Sequence, residues 1–159
     1  MSTRNIRRNL KELAENTMAA YLKSRVTGEM KCYAAYPPGK VQYPCVVCGV
    51  QRLAAVSELA SWDDNRGMIM ELAVISEAVP KRANDVAVQT ARERNADMRS
   101  DVLNAVCIDD LNASLALVAV PGIAFSMAQV TDVRYEIEDR KFISIVEVEL
   151  IVEPVDESQ

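Results

Sequence analysis

The sequence predicts a single α+β domain, a mainly antiparallel β-sheet with two principal α-helices packed against it and a C-terminal β-hairpin. Three observations predict this class. Residues 131–154 alternate apolar and polar side chains on both sides of a short polar turn, as in a hairpin with one buried side. Residues 45–53 and 68–78 are nearly continuous apolar runs of strand length. Residues 3–26 and 85–106 repeat apolar residues at helical spacing.

Length and composition place the chain among ordinary globular proteins. It has 159 residues, 50% of them hydrophobic and 26% charged, so one domain over residues 1–159 can bury a sizeable core. The sequence contains no internal repeat, low-complexity tract or linker-like segment. The net charge of -5 gives no reason to expect stable nucleic-acid binding, which is normally accompanied by an excess of basic residues.

The first predicted element is an amphipathic helix over residues 3–26. Its apolar stripe consists of Ile6, Leu10, Leu13, Thr17 and Tyr21. A short edge strand is expected at 30–35. A loop is expected at 36–44, because its adjacent prolines do not fit a regular element.

The two apolar strands are predicted to bracket an exposed connection. The run at 45–53 is expected to lie in the interior of the sheet. Residues 61–67 are polar and form the connection. The run at 68–78 is expected to be buried on both of its faces.

The second long helix is predicted over Asp85–Val106. Its inner stripe is Ala87, Ala91, Met98, Val102 and Val106. Its solvent-facing residues are Arg92, Glu93, Arg94, Asp97 and Arg99. Residues 111–131 contain no charged residue, but Pro121-Gly122 interrupts them, so we expect a short helix, a turn and a buried strand near 123–130 rather than a membrane span. The early acidic residues of the chain argue against a signal peptide.

The final hairpin is predicted to turn at Glu138–Lys141. One face of its first strand carries Val133, Tyr135 and Ile137, and the other carries Arg134, Glu136 and Glu138. The returning strand places Val146, Val148, Leu150 and Val152 on a single apolar face.

The four cysteines raise the question of a metal or redox site. Cys45 and Cys48 have the spacing of a zinc knuckle or a redox pair. A closed zinc site needs two further ligands, however, and here Cys32 and Cys107 are isolated and histidine is absent. Because the Val-Val centre of the pair favours a strand, the two sulfurs should face opposite sides. We therefore expect ordinary buried thiols in a reducing cytoplasm, with no metal and no cofactor.

Catalytic constellations are not evident. The absence of histidine excludes Ser-His and Cys-His nucleophile pairs, and the five scattered glycines form no phosphate loop. Glu147 and Glu149 would project from one strand face about 7 Å apart, from roughly 3.3 Å of rise per residue. A solvated outer face explains them better, as loop solvation explains Asp63-Asp64 and helix capping explains Asp109-Asp110. We expect a protein that is not an enzyme.

Four features, taken in order, resemble the bacteriophage tail terminator, or tail-completion, family of long-tailed phages. They are the first helix NIRRNLKELAENTMAAYL, the strand pair YPCVVCGVQRL and MIMELAVISEA, the central helix ARERNADMRSDVLNAVCIDDLNASL, and the hairpin TDVRYEIEDRKFISIVEVELIVEP. Together they span most of the chain. The resemblance implies a virion protein that is assembled in the host cytoplasm and forms a ring, commonly of six subunits, on the head-proximal end of the tail tube. Such a ring stops tube polymerisation and presents a surface to the head-tail connector.

The partners that the resemblance implies are other copies of this chain, the tail tube protein and the connector protein, with no membrane. The charge distribution suits contacts between unlike surfaces, since residues 1–31 carry seven basic and three acidic residues and residues 131–159 carry three basic and nine acidic ones. The hypothesised contacts join Arg4, Arg7 and Arg8 to Glu136, Glu138 and Glu147. Attraction within one fold would account for the same asymmetry.

The two loops are the candidates for tube or connector contacts. Their candidate residues are Tyr36, Lys40, Trp62, Asp63, Asp64 and Arg66. Trp62 is the only tryptophan, and it is either an interface hot spot or an anchor for its own loop. Two alternatives stay open for the whole chain, a head-tail connector or neck ring protein and a small-ligand or enzymatic α+β domain.

Overall fold

The computed structural model describes residues 10–26, 30–35, 41–55, 66–77, 85–119, 121–138 and 141–154. These residues form an α+β fold, as predicted. The elements in chain order are α1 (Leu10–Arg25), β1 (Lys31–Ala34), β2 (Cys45–Ala55), β3 (Arg66–Glu77), α2 (Asp85–Val106), α3 (Leu111–Val118), β4 (Ile123–Glu138) and β5 (Lys141–Pro154).

The five strands form one sheet in the order β1-β2-β3-β5-β4. All neighbouring pairs are antiparallel except β1 and β2, which run parallel. The predicted edge strand at 30–35 is therefore β1. The predicted interior strand is β2, which lies between β1 and β3. At the other end of the sheet the edge is β4, the longest strand, with 16 residues.

The main core lies between one face of the sheet, called here the inner face, and the three helices. Helix α1 covers β1 and β2, α2 covers β3 and β5, and α3 covers β4. The predicted apolar face of β5 is confirmed, because Val146, Val148, Leu150 and Val152 are all fully buried in this core. No helix in the described part of the chain is long and apolar enough to cross a membrane.

Helix α1 is held against its neighbours by hydrogen bonds as well as by apolar packing. The Tyr21 hydroxyl donates a 2.5 Å hydrogen bond to the Ala105 carbonyl near the end of α2. The carboxylate of Glu15, only 3% exposed, accepts a 2.8 Å hydrogen bond from the Val50 amide of β2. That amide lies where the β2–β3 register shifts, between Val50 and Arg52. A buried backbone donor at a bulge needs an acceptor, and α1 supplies it.

The described residues confirm the predicted helix bounds from Leu10 onward and over Asp85–Val106. Within α2, Met98, Val102 and Val106 are buried as predicted. The prediction for Arg99 was wrong, because it is half-buried and not solvent-facing. The predicted side-chain cap of α3 was also wrong, since Asp110 occupies the N-cap position without a side-chain hydrogen bond there.

Two strand predictions require correction. Residues 68–78 were expected to be buried on both faces, but β3 alternates over most of its length. Its inner residues Met68, Met70 and Leu72 are buried, while Glu71 between them is half-buried on the opposite face. The strand predicted near 123–130 and the first strand of the hairpin are one continuous element, β4, which bends at two register shifts against β5.

The short helix and the turn before β4 match the prediction for residues 111–131. Gly122 has φ 109°, a conformation that side-chain-bearing residues rarely adopt, so the glycine permits this turn. The interruption at Pro121-Gly122 therefore separates α3 from β4, as the sequence predicts.

The outer face of the sheet, opposite the helices, carries a second, smaller core. Cys45, Val47 and Ile75 are buried there, with Val41 and Tyr43 packed against them. Cys48 belongs instead to the main core on the inner face. The prediction that the two sulfurs of the CVVC pair face opposite sides is therefore confirmed.

All four thiols were expected to be buried, but only two of them are. Cys107 is exposed and Cys32 is half-buried, whereas Cys45 and Cys48 are buried. Burial is the main cause that raises the pKa of Cys45 to about 11 and the pKa of Cys48 well above its ordinary value. Both buried thiols are therefore protonated at neutral pH and poor nucleophiles.

Candidate interaction site

A buried polar contact holds α2 against the sheet beside the hairpin. The Asn95 side-chain amide donates hydrogen bonds to the carbonyls of Val74 at 3.0 Å and Phe142 at 2.8 Å. Its side-chain oxygen accepts a 2.5 Å hydrogen bond from the Ser144 hydroxyl. Because Asn95 and Ser144 are almost completely buried, this contact fixes the position of α2 over β3 and β5.

One helical turn further on, Arg99 reaches towards β4. Its guanidinium donates a long 3.5 Å hydrogen bond to the Ser144 hydroxyl and lies over the Tyr135 ring, 4.7 Å from the ring centre. A guanidinium over an aromatic face is attracted by the ring quadrupole. Arg99 thus connects the buried Asn95–Ser144 contact to a surface ring.

None of the described helices covers the hairpin end of β4. Tyr135 is 63% exposed and Ile137 is 73% exposed, although both lie on the inner face, opposite Ser144 and Phe142. Of the three residues predicted for the buried side of this strand, Val133, Tyr135 and Ile137, only Val133 packs against the main core. The expectation of one buried side along the whole hairpin was therefore wrong for its tip.

Between this strand end and α2 lies a groove of about 300 Å³. We call it the α2–β4 groove. Its walls include Arg92, Ala96 and Arg99 from α2, Tyr135 and Ile137 from β4, and Phe142 from β5. Glu136 also borders it. Cationic groups therefore stand along one wall and exposed apolar groups along the other.

The outer face of the same strands carries an acidic cluster around one arginine. Glu71, Glu147 and Asp132 stand opposite one another across β3, β5 and β4. The Arg134 guanidinium bonds Glu71 directly and lies 3.6 Å from Glu147 and 3.7 Å from Asp132. The hydrogen bond to Glu71 is the main cause that raises the pKa of Arg134. One cation among three carboxylates leaves this surface negative.

The structure describes only part of the predicted interface. The candidates outside the described residues are Arg4, Arg7, Arg8, Tyr36, Lys40, Trp62, Asp63 and Asp64. Arg66 was placed in a connecting loop, which was wrong, because Arg66 and Gly67 begin strand β3. Glu138 ends β4 opposite Lys141.

The remaining two candidates differ in their surroundings. Glu136 is exposed and borders the α2–β4 groove. Glu147 already has partners within the chain, because it accepts a 3.0 Å hydrogen bond from the Thr131 hydroxyl and lies beside Arg134. Glu147 is therefore a weaker candidate for an intermolecular ion pair than Glu136.

Sequence reasoning missed the residues that build the groove. A signal was present, because Asn95 lies at helical spacing between Ala91 and Met98 of the predicted inner stripe, and an asparagine there needs buried partners. Arg99 follows Asn95 by one turn, so it lies at the edge of the same stripe. No feature of the sequence indicates that Tyr135 and Ile137 are exposed.

The described residues contain no group of three or more metal-ligating side chains. Glu147, one of the two glutamates that the sequence places on one strand face, is held by Arg134 and Thr131. Comparison with known proteins gives no match, either to a protein-family model or to a curated protein sequence.

Proposed function

We propose that this protein is a bacteriophage tail terminator, a structural protein that forms a ring of six copies on the head-proximal end of the tail tube. There it ends tube polymerisation and supplies the surface that joins the head connector. The function is performed by binding surfaces and requires no covalent chemistry. The proposal draws on the family resemblance of the sequence, and the structural observation that carries it is the free edge of β4.

Among the strands that the structure describes, β4 is paired on one side only. It contributes 16 residues to the edge of the sheet, whereas the opposite edge is the four-residue strand β1. An unpaired edge of this length presents backbone N–H and C=O groups that can pair with another chain. The two ends of the sheet are unlike, so a contact that joins β4 of one copy to a different surface of the next repeats in the same direction from copy to copy. Such heterologous contacts close into a ring when the rotation per copy is right.

The exposed side chains at the tip of β4 support the same proposal. Tyr135 and Ile137 expose more than half of their surface in a single copy. Covering an apolar side chain of this size in an interface contributes about 1.5–3 kcal/mol when burial is complete. These two residues therefore supply a driving force for association that lies directly beside the free strand edge.

The charge distribution fits a contact between unlike surfaces. The described outer face around Arg134 is negative, and the basic residues Arg4, Arg7 and Arg8 are the cations we propose to meet it in a neighbouring copy. Because Glu147 is engaged by Arg134, Glu136 is the better acceptor among the residues predicted for this contact. Such exposed pairs select orientation more than they add affinity.

Imaging with purified tail tubes tests the proposal. The purified protein is mixed with tubes that have no terminator and viewed by negative-stain electron microscopy, with subunit number taken from native mass measurement of the capped ends. We expect a cap at one end of each tube and an arrest of further tube growth. Attachment to filled heads and not to tubes would instead identify a connector.

A matched pair of variants sharpens the test. Tyr135→Ser combined with Ile137→Ser removes the exposed apolar tip, and Leu117→Ser removes an equally large side chain that is 84% exposed on α3. The first variant is expected to lose capping and the second to retain it, with both folded by circular dichroism. If neither wild type nor variants bind tubes or self-associate at micromolar concentration, the proposal is wrong.

A further inference from the structure

The α2–β4 groove has the chemistry of a site for an acidic, extended peptide segment. Arg92 is exposed on its wall, and Arg99 lies on the same wall about two helical turns further on, with Tyr135 under its guanidinium. Neither guanidinium has a carboxylate partner within the described part of the chain. Two such cations above an exposed tyrosine and isoleucine match a segment that carries carboxylates next to an apolar residue.

This chain itself contains such a segment. Residues 155–159 read Val-Asp-Glu-Ser-Gln, with Asp156 and Glu157 following Val155. They come directly after β5. We propose that residues 155–159 of one copy occupy the α2–β4 groove of a second copy, with Asp156 and Glu157 near Arg92 and Arg99 and Val155 against Ile137.

The geometry of β5 directs this contact to a second copy. The groove lies beside Phe142 and Ser144 at the start of β5, and residues 155–159 follow its last residue, Pro154. The ten residues from Ser144 to Pro154 span about 33 Å in a strand. Five residues reach at most about 18 Å when fully extended. Residues 155–159 therefore cannot enter the groove of their own copy.

The resulting contact joins the end of β5 in one copy to the groove beside the start of β5 in a second copy. The surface that gives the segment differs from the surface that receives it, so the contact is heterologous and each copy can take part in two of them. The inference rests on the proposed self-assembly. It adds to that proposal the identity of the groove's occupant.

A binding experiment with a synthetic peptide tests the groove directly. The probe is a fluorescent peptide with the sequence of residues 153–159, and the receptor is the full chain carrying Asp156→Lys and Glu157→Lys, so that no resident segment competes. Binding is measured by fluorescence anisotropy. Adding Arg92→Glu is expected to weaken binding about tenfold, since reversal replaces an attraction by a repulsion of like charges. Arg94→Glu, on the same helix but outside the groove, is expected to leave binding unchanged.

Three results would overturn the inference. The first is equal weakening by Arg92→Glu and Arg94→Glu, which would indicate attraction to the net charge of α2 alone. The second is equal binding of a peptide with the same composition in scrambled order. The third is displacement of the peptide by a short single-stranded oligonucleotide, if the oligonucleotide also binds more weakly to the Arg92→Glu protein. That result would assign the groove to a phosphate backbone.

Charge exchange in the full chain separates this inference from the proposed function. Sedimentation velocity is expected to show weakened self-association for Arg92→Glu alone and for Asp156→Lys with Glu157→Lys alone, and recovery when the three changes are combined. If wild type caps tubes but no single change weakens association, the groove contact is wrong and the terminator role stands. If the peptide binds as expected but tubes are never capped, the contact stands and the terminator role is wrong.

Discussion

Ser144 donates a 2.5 Å hydrogen bond to the side-chain oxygen of Asn95, and this bond joins the middle of α2 to β5 at the inner end of the α2–β4 groove. Both residues are buried, and Asn95 also satisfies the carbonyls of Val74 and Phe142. The contact specifies how α2 lies over the sheet, because an apolar surface alone would permit several orientations. The groove wall formed by Arg92 and Arg99 depends on that orientation.

Asn95→Ala is therefore expected to lower the free energy of unfolding by about 2–3 kcal/mol, because it leaves buried polar groups without partners. Urea unfolding followed by circular dichroism measures the change. Asp97→Ala, two residues away and exposed, is the control and should change stability by less than about 0.5 kcal/mol. Equal effects of the two substitutions would show that the Asn95 contacts contribute nothing.

Glu15 provides a second test of a buried polar contact. Glu15→Ala removes the acceptor of the Val50 amide and is expected to cost about 1–3 kcal/mol. Glu15→Gln keeps an oxygen acceptor and should cost clearly less. Glu12→Ala, on the exposed side of α1, serves as the control in the same urea titration. A Gln variant as unstable as the Ala variant would contradict this assignment of the bond.

The inner face of the hairpin is expected to be intolerant of charge. Val148 is completely buried, so Val148→Asp places an unpaired carboxylate in the main core and should cost about 3–5 kcal/mol or prevent folding. Leu117→Asp introduces the same carboxylate at an exposed position. Soluble yield and thermal unfolding compare the two. If the Val148→Asp variant were as stable as the wild type, Val148 could not lie in the main core.

The buried thiols are expected to lower the stability of the folded chain at alkaline pH. Burial raises the pKa of Cys45 to about 11 in the folded chain, against 9.0 for a free thiol. Between these values the unfolded chain loses the proton first, so it is favoured as pH rises and stability falls. We expect a lower urea midpoint at pH 10.5 than at pH 8, with a smaller decrease for Cys45→Ala. An identical decrease in both proteins would exclude a contribution from Cys45.

The N-terminal arginines supply the last prediction. Arg7→Glu combined with Arg8→Glu should leave the fold intact and weaken assembly, because we propose that these residues face an acidic surface of the next copy. Sedimentation velocity at low and moderate salt measures the change, and the difference from wild type should shrink as salt rises. Unchanged association at low salt would remove this contact from the proposed interface.

Much of the fold was predictable because hydrophobic periodicity is a local property. The bounds of α2 and the buried face of β5 follow from side-chain spacing alone, and both were confirmed. The opposite facing of Cys45 and Cys48 followed in the same way. The failures occurred where a second element decides the outcome. Arg99 was read as solvent-facing, yet it is half-buried because the hairpin lies next to it.

The candidate site was less predictable than the fold. Glu136 is exposed on the polar side of the hairpin, but the partners of Glu147 within the chain were not anticipated. Both partners, Thr131 and Arg134, come from β4, whose register with β5 depends on bulges that the sequence pattern does not mark. The groove itself requires α2 and the end of β4 to be neighbours, and no local pattern specifies that distance.

The amino-acid sequence by itself determined most of the described helices and strands and which side chains share a face, because these depend on periods of 3.6 and 2 residues along the chain. Only the tertiary structure decided whether a given face is covered. Val148 and Tyr135 both lie on the inner face of the hairpin, yet one is fully buried and the other is 63% exposed. The physical reason is that burial requires a second element overhead, and no described helix covers the end of the edge strand.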